Sequence, residues 1–529
     1  MDRHRYERDP QAEKGLTVMG KYYIAFDCGT MGTKTALYSI DSTRVAEAYR
    51  ENRISYPRPG WAEMDANGFV ENVREGVREC LAKSGINPAE VRGISASGII
   101  CGIVGIDDDW KPVTPFVPYL DSRSAGEAAW VRENVEPVWI EESGNAIVDE
   151  FMPPMILRWF LNQYGGFRKT AVKVVNNGPF VLGTLAGLSA KDAFLDWATM
   201  SGWLIGYDAK KRDWSRRQTK ALGIPDEILP RIVKPWEVVG FLCRSEAEKM
   251  GLPAGIPIAA GAGDTMQSAL ASGLFEPGLA TDVAGTASIF AVAVKEADRR
   301  ITEAPGMMFA TGTLPDAYFY WSMIRAGGLS LRWFRDSIAD RAGDPMFYAE
   351  MDTLAADVPP GSRGLLFYPY LQGAGPDMPG ACGVFAGLFG VSDRAAMWRS
   401  ILEAIAFEYA QMIKIYRKCG IPLNEIIGTE GGSKSPLWTQ IKADILGGAY
   451  NIPTRSEGGL MADVAVAAHA VGDIADIKET MKQWVTFRGR FEPDQKNAEI
   501  YRKIFEERQR LLDGPMKELF AALARVRNI

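Results

Sequence analysis

Apolar side chains dominate residues 22–26, stop at Asp27, and return over residues 35–40 after the stretch Cys28-Gly29-Thr30-Met31-Gly32-Thr33-Lys34. Strand, glycine-rich turn and strand predict a β-hairpin. A helical period over 69–81 and short apolar runs over 91–95 and 103–106 add one helix and two strands. Alternating strands and helices point to an α/β architecture. From about 125 to 250 the pattern is mixed, with helices interrupted by Pro and Gly. At 257–260 a short strand opens into Gly261-Ala262-Gly263-Asp264 and a helical stretch over 265–272.

The opening pattern then recurs. Glu276-Pro277-Gly278 is a turn cluster and the expected domain boundary. Behind it, residues 279–284 read as a strand, Gly285-Thr286 as a turn, and 288–294 as a second strand. Two related halves are implied, each opening on a hairpin with Gly-Thr at its tip. Val283 stands where the first hairpin has Asp27, so only the first tip offers a carboxylate to a metal.

Composition narrows the function classes. At 529 residues the chain is too long for one core. Its 47% hydrophobic and 24% charged residues are those of an ordinary globular protein. A net charge of -6 speaks against nucleic acid or an anionic membrane as partner. Cys28, Cys80, Cys101, Cys243, Cys382 and Cys419 form no C-x-x-C pair and suit free thiols in a reducing compartment. No apolar run reaches the ~18 residues of a membrane span. The charged start lacks a secretory apolar region, so residues 1–20 are expected to be a disordered extension, with Met19 as an alternative start. A cytoplasmic enzyme, with a homodimer as the ordinary prior, is the expectation. Of the two histidines, His4 lies in that tail and His469 in an Ala-rich helical stretch that suits a packed, satisfied ring. Histidine-based triads and metal sites are therefore set aside, and a general base has to come from another residue type.

Three segments carry candidate chemistry. A glycine-bearing hairpin tip can aim backbone N–H groups at phosphate oxygens, with the Thr30 hydroxyl adding a donor. Asp27 beside it could hold Mg2+, which prefers hard oxygen ligands and retains waters, and Lys34 could neutralise phosphate charge. The same residues also fit a plain hairpin turn. Asp264 stands where a strand meets a helix, a place where α/β proteins put ligand-binding groups. It can serve as the base that accepts a hydroxyl proton in phosphoryl transfer, or simply cap the helix that follows. Ser435 as N-cap with Pro436 behind it marks a strong helix start. Gly431 and Gly432 ahead of it, like Ala326-Gly327-Gly328, offer either a flat wall for a nucleoside or close backbone packing.

In this order the segments resemble one family. Asp27 to Lys34, Pro59-Gly60-Trp61-Ala62-Glu63-Met64-Asp65, Asp121-Ser122-Arg123, Gly263-Asp264, Gly285-Thr286, Ala326-Gly327-Gly328 with Trp333, and Gly431 to Ser435 with Trp438 are similar to the motifs of the FGGY carbohydrate kinases. These belong to the actin/Hsp70/sugar-kinase superfamily, and the resemblance spans about residues 22–472. It implies two RNase H-like α/β domains around a cleft, ATP with Mg2+, and a small sugar or polyol as partner. Residues 21–275 would bind sugar and carry the base, 276–480 would bind nucleotide, and 481–529 would form a helical extension. The resemblance assigns the catalytic base to Asp264. It assigns the nucleotide to Gly29, Thr30, Lys34, Gly285, Thr286, Gly328, Gly432, Ser433 and Ser435. It assigns the substrate to Cys101, Asp121, Asp264 and Thr265, and the metal to Asp27 and Asp264.

Departures concentrate on the sugar side. Xylulose kinases usually carry Gly-Gln-Met-His-Gly where this chain has Gly98-Ile99-Ile100-Cys101-Gly102, so a polar pair has become apolar. Pro369-Tyr370-Leu371 continues as Gln372-Gly373 rather than Gly-Glu-Arg, and Thr265 replaces the Asn common after the catalytic Asp. A ketopentose such as xylulose is the first expectation. An autoinducer-2 kinase with its methyl-bearing substrate is the alternative, followed by ribulose, erythritol or glycerol kinases. A non-catalytic sugar or nucleotide sensor and an Hsp70-like ATPase are the readings from other classes.

Overall fold

Both hairpins form in the computed structural model, which describes residues 20–374, 378–455 and 458–527. The expected N-terminal extension, apart from Gly20, lies outside the described residues. β1 (Tyr22–Cys28) and β2 (Gly32–Ser39) pair antiparallel with Asp27 opposite Lys34, and β3 (Arg44–Glu51) continues beyond β2. Helix α1 (Ala66–Ser84) exceeds the predicted periodic stretch at both ends. The Asp65 side chain caps its start, and Gly85, in left-handed backbone at φ 65, ends it. The chain returns as β4 (Val91–Gly98), parallel to β1. With β5 (Val238–Phe241) and β6 (Pro257–Ala259) the sheet order is β5-β6-β4-β1-β2-β3, and β7 (Ala262–Gly263) also pairs with β4.

The second sheet repeats this wiring. β8 (Leu279–Ala284) and β9 (Ser288–Val294) form its hairpin, followed by β10 (Met308–Thr311), β11 (Tyr318–Ile324), β12 (Glu425–Thr429), β13 (Ala449–Pro453) and β14 (Phe487–Phe491). The order is β10-β11-β9-β8-β12-β13-β14. In each sheet the first hairpin strand lies between its antiparallel partner and a parallel newcomer, β4 in one case and β12 in the other. The expected α/β fold of two related halves is the one observed.

Among the described residues, contacts on two sides tie the halves together. On one side, groups of the first half satisfy the outer edge of β10. Asn145 donates to the Phe309 carbonyl and accepts from its N–H, and Ser201 Oγ accepts from Thr311 N at 2.8 Å. Side chains here do the work of a neighbouring strand at an otherwise open edge. On the other side, helix α7 (Gly459–Ala470) leaves the second half and packs on the first sheet, in one buried cluster with Tyr23, Ala25 and Ala36.

Within the second half, Asp282 and Lys442 form a fully buried ion pair, with Tyr409 and Tyr450 hydroxyls also donating to Asp282. The C-terminal helix α8 (Gln495–Leu511) docks on the long helix α5 (Arg394–Lys418) through buried polar contacts. Arg508 pairs with Glu408, and Arg399 donates to Tyr501 Oη at 2.8 Å. No helix among the described residues is long and apolar enough to cross a membrane.

Candidate active site

Asp27, Lys34 and Asp264 share a cleft with Val283, Thr429 and Glu430 of the second half, around about 970 Å³ of space open to solvent. Asp27 is delivered by the end of β1, beside the turn, because that strand's apolar run ends there. Asp264 is delivered by β7 and the helix α3 (Asp264–Ala271), which it opens. The helix-cap alternative is not realised, since Gly263 occupies the cap position and Asp264 is the first helical residue.

Gly263 is required at this junction. A Cβ on it would lie 2.0 Å from Ile100 Cγ2, so only glycine lets the start of the Asp264 helix approach the 98–102 turn so closely. Asp264 Oδ1 accepts from Thr265 N at 2.6 Å and from Thr265 Oγ1 at 3.2 Å. Burial, then the like charge of Asp27, pushes the Asp264 carboxyl up to about 7, while the two Thr265 bonds oppose the rise. The residue keeps some exposed surface on the cleft.

The nucleotide-side candidates fall into two groups. Gly285, Thr286 and Gly328 come together: Gly328 N donates to Gly285 O at 3.0 Å, and Leu329 N to Thr286 O at 2.9 Å. These bonds fasten the second tip onto the start of helix α4 (Gly327–Trp333). A Cβ on Gly328 would stand 2.3 Å from Gly285 O. Gly432 packs on the strand before the same tip, where a Cβ would meet Ala284 Cβ at 2.3 Å. Ser433 Oγ donates to Glu430 O at 2.7 Å. Ser435 does cap helix α6 (Pro436–Leu446), its Oγ accepting from Trp438 N at 3.0 Å. Gly29 and Thr30 form the first tip, in the turn between β1 and β2, and of the nucleotide candidates Lys34 is the one among the residues lining the cleft. In both tips the glycine's own amide is used locally, Gly29 N on Gly32 O and Gly285 N on Val283 O, both at 3.1 Å. The glycines thus shape the tips, and the threonines are the side chains they present.

The substrate candidates are placed less uniformly. Thr265 sits beside Asp264. Cys101 is buried, its Sγ donating to Gly202 O at 3.1 Å, and burial with the Asp264 charge pushes its thiol far above the usual range. Asp121 is buried as well, and both of its oxygens are taken. Oδ2 accepts from Ala62 N at 2.6 Å and from Arg123 Nη2 at 2.9 Å, while Oδ1 accepts from Arg123 N and Nε. It thereby locks Arg123 against the Trp61 and Trp159 rings, 4.0 and 5.1 Å from their centroids. Neither Cys101 nor Asp121 lines the cleft.

Several residues here escaped the sequence reading. Glu430 lines the cleft with φ 61 and ψ -161, a backbone region normally left to glycine. Asp196, fully buried, caps the one-turn helix α2 (Trp197–Met200), which packs beside β7, and burial raises its carboxyl to about 7. Ser97 lies next to Asp27 in the sheet, and Asp463 is wholly buried behind it. Only Asp463 had a legible signal: a lone acid in the otherwise apolar Gly-Leu-Met-Ala-Asp-Val-Ala-Val.

Comparison with known proteins agrees with this geometry. The model of the FGGY carbohydrate kinase N-terminal domain matches residues 22–271, and that of the C-terminal domain matches 280–471. A xylulose kinase of Bacillus subtilis is 24% identical over 92% of this chain and 95% of its own length. A glycerol kinase of a Geobacter species is 28% identical over 89% and 94%. The crystal structure of xylulose kinase from Rhodospirillum rubrum superposes with a TM-score of 0.86 at 26% identity, covering 95% of this chain and all of that one. With both domain models matched in order and the cleft between the halves they describe, the chain belongs to the FGGY family of carbohydrate kinases.

Proposed function

We propose that this chain transfers the γ-phosphoryl group of ATP to a hydroxyl of a small sugar or polyol, in the first place a ketopentose such as xylulose. One arrangement carries the reading: Asp264, buried beside the like charge of Asp27, opens a helix on a cleft lined by Asp27 and Lys34 of the first hairpin and by Val283 of the second. An ordinary aspartate is too weak a base for an alcohol. One poised near neutrality is better matched to take the proton as the oxygen attacks phosphorus.

In this reading the substrate hydroxyl faces Asp264, with its triphosphate partner held between the Thr30 and Thr286 tips and Lys34 opposing its charge. The hydroxyl oxygen bonds to the γ-phosphorus, the bond from that phosphorus to the β–γ bridging oxygen breaks, and ADP leaves. The proton goes to Asp264. Closure of the two halves excludes water, which would otherwise compete as acceptor. Gly328 and Gly432 bring helix starts against the second tip, where backbone can lie close to a nucleoside.

The residues fit Mg2+. Asp27 and Asp264 are two carboxylates whose mutual repulsion raises one of them, and an ion that takes one or two carboxylates beside phosphate oxygens and water relieves that repulsion. Bound there, the ion would neutralise charge developing on the transferring group.

A methyl-bearing ketose is the second reading, favoured by the buried apolar Ile99-Ile100-Cys101 turn that backs onto Gly263. A panel of ketoses and polyols assayed by coupled ADP release tests both. Asp264→Asn should lower turnover by about 10²–10⁴ with ATP binding retained; undiminished turnover refutes the base assignment.

A further inference from the structure

Asp463 sits in α7, a helix whose residues 460–468 are all buried. An aspartate in such surroundings is costly unless its oxygens are satisfied, and here both are. Oδ2 accepts from Ser97 Oγ at 2.9 Å, and Oδ1 accepts from Gln267 Nε2 at 2.7 Å. The partners are not arbitrary. Ser97 is the β4 residue paired with Asp27 of β1. Gln267 lies one turn along α3 from Asp264, on the helix which that residue opens. Gln267 is held from its other end as well, its Oε1 accepting from Thr313 Oγ1 at 3.0 Å, and the Thr313 carbonyl accepts from Trp197 Nε1 at 3.3 Å.

One side chain therefore grips the strand next to Asp27 and the helix that begins at Asp264, and it does so from a helix supplied by the second half of the chain. We propose that Asp463 is a positioning residue for phosphoryl transfer, fixing the rotation and depth of α3 so that the Asp264 carboxylate faces the acceptor hydroxyl beside Asp27. The proposal rests on Asp264 acting as the base. It goes further in making the base's aim depend on a side chain that touches neither substrate nor nucleotide. Positional demands of this kind are steep, since a displacement of about 1 Å can cost about 10²-fold in rate.

A packing role alone would be felt in stability. A positioning role is felt in kcat at temperatures where the variant is fully folded. Asp463→Ala is expected to lower kcat by about 30- to 100-fold, with KM for sugar and for ATP within about threefold of the parent, since it moves the base and leaves both binding surfaces in place. Gln267→Ala removes the next link and should lose a similar factor. The double variant should lose little more than either single one, because both act through the same chain. Asp463→Asn can keep both hydrogen bonds once the Gln267 amide turns over and Thr313 Oγ1 becomes the acceptor, so it should recover at least tenfold of the alanine loss.

Full kcat in folded Asp463→Ala, additive losses in the double variant, or a loss confined to KM would each overturn the proposal. Should Asp463→Ala fail to fold, Gln267→Ala and Asp463→Asn decide the matter: folded Gln267→Ala with full kcat refutes it. Asp264→Asn, run in parallel, separates the two levels. If that variant turns over normally, the base assignment itself has failed. If it is dead while Asp463→Ala and Gln267→Ala are fully active, only the positioning role has.

Discussion

Replacing Asp264 by Asn should do more than stop catalysis: it should stabilise the protein, and only above about pH 4. Burial and the Asp27 charge raise this carboxyl from 3.8 to about 7 in the folded chain. A raised acid is at no disadvantage below its unfolded value, where it is protonated in both states, and costs most above its folded value, where folding must bury a charge. Three pK units correspond to about 4 kcal/mol at most, partial exposure reducing that figure. Asparagine has the shape of the protonated acid without the ionisation. The variant's stability advantage should therefore be near zero at about pH 4 and grow until about pH 7, then level off. With an unfolding entropy of about 2.1 cal/mol/K per residue, the plateau is about 4 °C in Tm if the whole chain melts as one, and about twice that if the first half melts alone. Calorimetry or dye-monitored melting of both proteins from pH 4.5 to 8.5, without nucleotide or Mg2+, reads it directly. A Tm difference that does not change with pH would show that Asp264 is not a desolvated carboxylate, and the argument for its basicity would go with it. The same ionisation predicts that kcat/KM for the sugar falls on the acid side with a midpoint near 7.

Three further outcomes follow from the packing. Gly328→Ala puts a methyl group 2.3 Å from Gly285 O, so the second tip has to shift, and KM for ATP should rise by about tenfold or more with KM for sugar little changed in steady-state assays. Arg508→Ala leaves the mostly buried Glu408 between α8 and α5 without its cation, with the Tyr370 hydroxyl still donating to it, and should cost about 3 kcal/mol by urea denaturation, whereas the double change Arg508→Leu with Glu408→Leu should recover most of it. Cys101, its thiol raised by burial and the Asp264 charge, should resist iodoacetamide in the native protein at pH 8 while the half-buried Cys243 and Cys382 react, as peptide mapping would show.

The elements that could be read from sequence are those whose signals are local. The strands Leu279–Ala284 and Ser288–Val294 end where the apolar runs end, because a tight glycine turn fixes both boundaries at once. The start of α6 was legible since Ser435 and Pro436 act on the helix they begin. His469 is the satisfied ring expected, its Nδ1 3.2 Å from Ile474 O and its edge against Trp236. Between about residues 125 and 250 the pattern was obscure for a physical reason. Its elements are short, several of three or four residues, and are held by distant groups such as the Asn176 amide on the carbonyls of Ile99 and Ile100. The buried state of Cys101 depends on those contacts and on Gly202, which no local periodicity encodes.

The same reasoning explains why half of the candidate site was hidden. An apolar, Ala-rich α7 announces that it will be buried but not against which sheet, since its pattern carries no face. Its placement on the first sheet is decided by fit. Small residues on both sides allow a close approach, as at Gly93, where a Cβ would touch Ala467 O at 3.5 Å, and Asp463 then finds Ser97 and Gln267 across separations of 366 and 196 residues. A carboxylate placed there by sequence alone would look like an error in a helix core. Once the helix is seated, it joins the strand beside Asp27, the helix of Asp264 and, through Gln267 and Thr313, the turn after β10. Among the described residues, hydrogen bonds from Asn145 and Ser201 to the edge of β10 and from Ser97 and Gln267 to Asp463 of α7 join the halves on two sides. Asp27 and Asp264 both sit on the first sheet, beside the ends of β1 and β7, so a movement of the second half about those contacts would leave the two carboxylates in place relative to each other.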